Sequence, residues 1–252
     1  MRSTGALVLA ATCVDDAEGA ESVDRDHVGD RLRVVCTAAA GELGLDGVTI
    51  TVMTPGVDAP AASSGPAARA WEDLQFALGE GPTREAFDSG HPVLAPRLDD
   101  ARERWPGFAS QAAAAGVRAV FAFPLQLGAI RFGGLTAYSG SERFLTRDEV
   151  GRLLVHADAV TELLLDGATV GTEGEVGAEL LSGLDIRSEV FQAQGMVAVD
   201  LGVGLVEALA RMRARAFRED LGLTELAVRI LDGYRLADEP PEAPPGEPRA
   251  DA

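Results

Sequence analysis

The chain of 252 residues contains no lysine, and its 22 basic side chains are all arginine. Without a lysine amine there is no Walker-A phosphate loop, no Schiff-base chemistry and no kinase-type Lys–Glu pair. Cys13 and Cys36 are the two cysteines. They are too few and too far apart for a zinc knuckle or a disulfide framework. His27, His91 and His156 stand singly, with no HExxH spacing. G-x-S-x-G is missing, and Gly202-Val203-Gly204 lacks the third glycine of a dinucleotide fingerprint. These gaps predict a protein that is not an enzyme. The apolar run Gly5 to Val14 is too short for a membrane span and no A-x-A site follows it. A cytoplasmic location without membrane attachment is therefore expected.

What is present is acid. Acidic residues number 40, for a formal net charge of −18. Such a field repels polyanions, so any nucleic-acid contact must come from a local patch. The apolar fraction of 46% supports a sizeable core, and the length predicts one or two domains.

The polar, acidic stretch up to residue 25 reads as a leader or linker. From Asp26 to about Leu43, Val28, Leu32, Val35, Cys36 and Ala39 recur at helical spacing. Val48-Thr49-Ile50-Thr51-Val52 is β-branched and reads as a strand. Residues 57–70, rich in Ala, Ser, Gly and Pro, read as a weak strand or a loop. Gly79-Glu80-Gly81-Pro82 specifies a tight loop opening a helix with proline in its first turn. A short extended piece at 92–95 and a helix from Trp105 to near Gly116 follow. Val117–Leu127 reads as a strand in which Pro124 marks an edge or a bulge. Gly133–Tyr138 reads as another strand. Thr146-Arg147-Asp148-Glu149 has the capping-box pattern at the head of a helix reaching Asp166. Residues 26–166 thus predict an α+β domain with a central antiparallel sheet.

Residues 167–184 are rich in Gly and Glu and read as a hinge. Asp185 is a good N-cap for a helix with Ile186, Val190, Ala193 and Val197 on one face. Gly195 sits mid-helix, where the close approach of another backbone would justify it. A second helix at about 205–218 carries Leu205, Leu209, Met212 and Ala216 as its apolar stripe. Arg211, Arg215 and Arg218 cluster on an adjacent face, with Arg213 at the other margin of the stripe. Gly222 turns the chain and Thr224 is a candidate cap for a third helix that faces Leu226, Ala227, Ile230, Leu231 and Tyr234 inward. Three short helices over 185–236 make a small bundle with a marginal core, for which dimerisation or docking is expected. The proline-rich acidic tail, 237–252, reads as disordered. Residues 185–236 hold seven arginines against eight acids, whereas the tail holds one against five. The only dense basic stripe is on the second bundle helix.

Val190-Phe191-Gln192-Ala193-Gln194-Gly195-Met196-Val197, Leu201-Gly202-Val203, Glu207 to Ala216 and Leu223-Thr224-Glu225-Leu226-Ala227 resemble the ANTAR family. The match runs over most of residues 185–236, and several separated blocks agree in order and spacing. Gln194 stands where many members carry Lys, and Met212 replaces a common Leu. Leu74-Gln75, Gly79-Glu80-Gly81-Pro82, Trp105-Pro106 with Phe108, Gly116 to Val120, Pro124-Leu125 and Gly133-Gly134-Leu135 resemble the GAF domain. That match spans about residues 26–166. Thr83 stands where relatives often have Cys.

The ANTAR resemblance implies a three-helix bundle that binds stem-loop RNA in leader transcripts, promotes transcription antitermination and acts as a homodimer under a sensor domain's control. No DNA partner is implied. Arg187, Arg211, Arg213, Arg215 and Arg218 are the candidate RNA contacts, because Arg forks grip phosphates and loop bases stack on guanidinium planes. Ala193, Gly195, Met196, Ala208, Leu209, Ala216 and Ala227 are expected as scaffold or dimer contacts. The GAF resemblance implies a small-molecule pocket, with nucleotide, haem, small aromatic or no ligand all open. The alternative is a ligand-sensing or protein-interaction module whose helical domain serves dimerisation.

Overall fold

The computed structural model describes residues 25–54, 57–168 and 188–236. The leader, the acidic tail, most of the hinge, and Asp185, Ile186 and Arg187 lie outside the described residues.

Helix α1 (Arg25–Leu43) leads into strands β1 (Gly47–Thr54) and β2 (Val57–Ser63). Helices α2 (Pro66–Leu78) and α3 (Pro82–Ser89) follow, then β3 (Val93–Ala95), a 3-10 turn and α4 (Pro106–Ala114). Strands β4 (Ala119–Leu127) and β5 (Ile130–Ser139) complete the sheet, and α5 (Arg147–Ala168) closes this part. The five strands lie in the order β2-β1-β5-β4-β3, and every neighbouring pair is antiparallel. The architecture is α+β with a central antiparallel sheet, as the pattern of elements predicts.

The period-two alternation of the strands divides the sheet into two unlike faces. Val48, Ile50 and Val52 of β1 share one face with Phe121, Phe123 and Leu125 of β4 and Leu135 of β5. That face is covered by Leu32, Cys36 and Ala39 of α1 and by Leu153, Ala157, Val160 and Leu164 of α5. Burial here pushes the Cys36 thiol up to about 12, so it is an inert core group. On the other face Val120, Ala122 and Tyr138 pack against Trp105, Phe108, Ala109 and Ala112.

Proline and capping chemistry act where the sequence places them. Strand β3 pairs β4 only over Val93–Ala95, reaching no further than Ala122. At Pro124 the strand therefore has a free side that needs no N–H donor, and the register shifts just beyond, between Leu125 and Gln126. The Thr146 amide donates to Glu149 at 2.7 Å and the Glu149 amide donates to the Thr146 hydroxyl at 3.3 Å, forming the capping box.

Residues 57–70 differ from the simple strand-or-loop expectation. They split into β2, an edge strand with a register shift opposite Pro60, and the first turn of α2. Pro66 at the helix start and the buried stripe Ala68, Glu72, Gln75 and Phe76 define α2. Two polar members of that stripe mask its helical periodicity in the sequence.

The carboxyl-terminal helices are α6 (Ser188–Leu201), α7 (Leu205–Arg218) and α8 (Leu223–Leu231). Val190, Ala193, Val197, Met212, Leu226, Ala227 and Ile230 form their shared core, together with Phe76 of α2. Gly222, not Thr224, is the N-cap of α8. The expected reason for Gly195 does not hold, because a Cβ there would meet nothing within 4 Å. Among the described residues no single helix is long and apolar enough to cross a membrane.

Candidate functional site

Two sets of side chains meet on α2. The first is a polar network buried against the sheet. Thr49 and Thr51 alternate with the apolar residues of β1 and so point to the α2 side. Their hydroxyls donate to the Glu72 carboxylate at 2.9 and 2.6 Å. Tyr138 of β5 donates to the same carboxylate at 2.5 Å. Gln75 donates to the Tyr138 oxygen and to the Thr83 hydroxyl, each at 2.7 Å, and its carbonyl accepts from the Thr83 amide at 2.9 Å. Thr83 and Thr136 share a further hydrogen bond of 2.6 Å. Burial raises the Glu72 carboxyl above its ordinary range, against the pull of its three hydroxyl donors. Burial and the neighbouring Glu72 raise Tyr138 in turn.

The loop Gly79-Glu80-Gly81-Pro82 sets this network's geometry. Gly79 ends α2 in the left-handed conformation, with φ 70°. Gly81, at φ 139°, leaves room for Gln75, whose Oε1 would lie 2.3 Å from a Cβ at that position. Between the two, Glu80 reaches across to accept from the amides of Gly107 and Phe108 at 2.7 and 2.8 Å, capping α4 from a distant loop.

The second set joins α2 to the carboxyl-terminal helices. Arg213 of α7 donates through Nε to the Phe76 carbonyl at 2.9 Å. Its guanidinium lies 5.4 Å from the Phe76 ring centroid and 3.5 Å from the Asp58 carboxylate. Asp58, on β2, also pairs with Arg84 of α3. Phe191 of α6 packs 6.5 Å from the Phe76 ring. Burial lowers the Arg213 guanidinium from its ordinary value, with Arg84 adding to that and Asp58 opposing it.

A cavity of about 10 Å³ lies between the two sets, lined by Thr51, Glu72, Gln75 and Thr83 on one side and Asp58, Phe76 and Arg84 on the other. It has room for about one water. Among the described residues no group of three His, Cys, Asp or Glu side chains could hold a metal ion. His156 lies against Glu42 at 3.0 Å, and His91 binds the nearby Ser89 carbonyl.

The arginines named from the sequence are distributed over different surroundings. Arg187 lies outside the described residues. Arg211 is exposed and pairs with Glu207 at 2.5 Å, one helical turn away. Arg218 is exposed too. Arg215 is mostly covered, pairs with Glu219 at 2.7 Å and lies over the Tyr234 ring. Arg213 faces the other way, into α2. Ala193, Ala208, Leu209, Ala216 and Ala227 are buried in the bundle core. Gly195 is half-buried, and Met196 is 42% exposed. Gln194 is buried, and its amide donates to the Leu205 carbonyl at 2.8 Å, closing the corner between α6 and α7. A lysine there would need to desolvate its charge.

Sequence reasoning missed Glu72, Thr49, Thr51, Tyr138, Asp58 and Phe76. A usable signal was an acid and an amide three residues apart within an otherwise apolar helix face, facing a strand with threonine at every second position.

No family model matches the chain, and no curated protein matches it. Solved structures that resemble it include GAF domains. One from a Synechocystis protein is 17% identical, covers 57% of this chain and 96% of its own, and has a TM-score of 0.48. Another, from a phosphoenolpyruvate-protein phosphotransferase of Coxiella burnetii, is 13% identical, with 57% and 86% covered and the same TM-score. A third, from a membrane protein of Geobacter sulfurreducens, is 18% identical, with 57% and 97% covered and a TM-score of 0.47.

Proposed function

We propose that the chain is a two-part regulator. Its α+β part is a GAF-type sensor of a small molecule, and its three-helix part is an ANTAR-type output that binds stem-loop RNA and promotes transcription antitermination. The observation carrying this reading is the division of labour along α7. Arg211 and Arg218 face solvent on one side, while Arg213 engages the sensor on the other. A helix so arranged can offer guanidinium groups to phosphate and loop bases while remaining under the sensor's influence.

The test is a gel-shift titration of the full chain with stem-loop RNA at two salt concentrations. Arg211→Ala with Arg218→Ala should weaken binding and reduce the salt slope by about one per phosphate contact removed. Unchanged titrations would remove these residues from the interface.

A second reading is favoured by the carboxylate partners of Arg211, Arg213 and Arg215. In it the bundle serves dimerisation alone. Sedimentation showing a dimer, with no shift of any stem-loop, would select it.

A further inference from the structure

We propose that Asp58, Phe76 and Gly79 form a guanidinium seat on the sensor, occupied by Arg213, and that this contact is a reversible latch holding the bundle closed. Every component of the seat fits a planar cation. The Phe76 ring offers a π face, its carbonyl accepts from Nε, and Asp58 supplies a carboxylate. Gly79 supplies space, since a Cβ there would lie 2.9 Å from the Arg213 Nη1.

The charges explain reversibility. Two guanidinium groups, Arg84 and Arg213, share the single Asp58 carboxylate. One cation is therefore left in excess in a largely desolvated place, where Coulomb gain and desolvation cost are of similar size. The apolar part of the seam, built on Phe76, Ala77 and Phe191, is narrow. Small changes at the seat can therefore move the balance between docked and released states.

The latch also abuts the cavity. Asp58, Phe76 and Gly79 line that cavity and hold Arg213 at the same time. Arg213 does not itself line the cavity, but a molecule larger than water there would press on the three residues that hold it. Occupancy of the sensor is then coupled to docking of the bundle through the residues the two share, which gives signal entry a direct mechanical consequence.

The latch does not depend on what the bundle binds, but its regulatory consequence rests on the RNA-binding reading, so the experiment separates the two. Asp58→Asn leaves every candidate RNA-contacting arginine in place and strands Arg213 beside Arg84. Small-angle scattering of the full chain should show an increased radius of gyration. Amide exchange over residues 75–79 should accelerate about tenfold or more, within the usual range of coupling between sites. Arg213→Gln reports from the bundle's side, removing the guanidinium while keeping a polar side chain, should the first variant fail to fold. Arg97→Ala, in a surface pair with Glu142, should match the wild type. Wild-type scattering and exchange in both seat variants would overturn the latch. If Asp58→Asn opens the chain and binds stem-loop RNA about tenfold tighter, latch and RNA reading stand together. If it opens the chain and no stem-loop binds, the latch stands and the RNA reading falls.

Discussion

The Tyr138 hydroxyl donates a 2.5 Å hydrogen bond to the Glu72 carboxylate, tying the middle of the sheet to α2 through a group that burial makes reluctant to ionise. A carboxyl raised in the folded state favours folding fully below its unfolded pKa. That contribution is lost as pH rises through the folded value. Glu72 should therefore make the protein less stable as pH climbs above about 4.5, the ordinary value. Glu72→Gln removes the titration, so its urea midpoints should vary less with pH than those of the wild type. Glu72→Ala, which leaves three hydroxyl donors facing a void, should cost about 2–4 kcal/mol. Equal pH profiles for wild type and the glutamine variant would contradict this account.

Glu149 has the opposite sign. The Thr146 amide, the Arg143 guanidinium and the Thr146 hydroxyl lower its carboxyl from 4.5 to about 2. Its contribution is complete above the unfolded value and disappears as pH falls through the folded one. Acid unfolding between about pH 4.5 and 2 should therefore be shallower in Glu149→Gln than in the wild type. At neutral pH, Thr146→Ala should cost about 1 kcal/mol through loss of the cap. Circular dichroism melts, run across that range for Glu149→Gln and at neutral pH for Thr146→Ala, check the two.

Gly79→Ala tests the C-cap of α2 and the arginine seat together. A left-handed φ of 70° costs a residue with a Cβ about 1–2 kcal/mol, and here the new methyl also meets Arg213. The expected result is a lower melting temperature. Because the strain alone would lower it too, the informative comparison is with Gly79→Ala in the Arg213→Gln background. The two substitutions should combine non-additively, since they share one contact.

The sequence was legible wherever one local rule acted alone. The capping box at Thr146, the Gly-Glu-Gly-Pro loop and the β-branched run of β1 each carry their own chemistry, and the elements follow. The period of α7 placed Met212 and Ala216 inward, and they are buried. What was not legible depended on two distant segments. Glu72 and Gln75 carry no local signal of their role, which appears only when Thr49, Thr51 and Tyr138 meet them from the sheet. Arg213 sat at the margin of an apolar stripe, and helical phase alone cannot show that Phe76 and Asp58 await it across the chain. The charge stripe on α7 was visible as composition, but its sorting into solvent-facing and α2-facing members required the packing of α2.

Glu80 provides the last prediction. It projects from the loop between α2 and α3 and caps two amides at the start of α4, where Trp105 provides no side-chain cap. The carboxylate satisfies two donors and complements the positive end of the helix. Glu80→Ala removes both bonds and should destabilise the domain by about 1–2 kcal/mol, at the upper end of cap losses. Glu80→Gln keeps an accepting oxygen while losing the charge, so about half the cost should return. Amide exchange at Gly107 and Phe108 reads the effect locally: it should accelerate in the alanine variant and be intermediate in the glutamine one. If exchange at both amides stayed at the wild-type rate in Glu80→Ala, the loop would not be what fixes the start of α4.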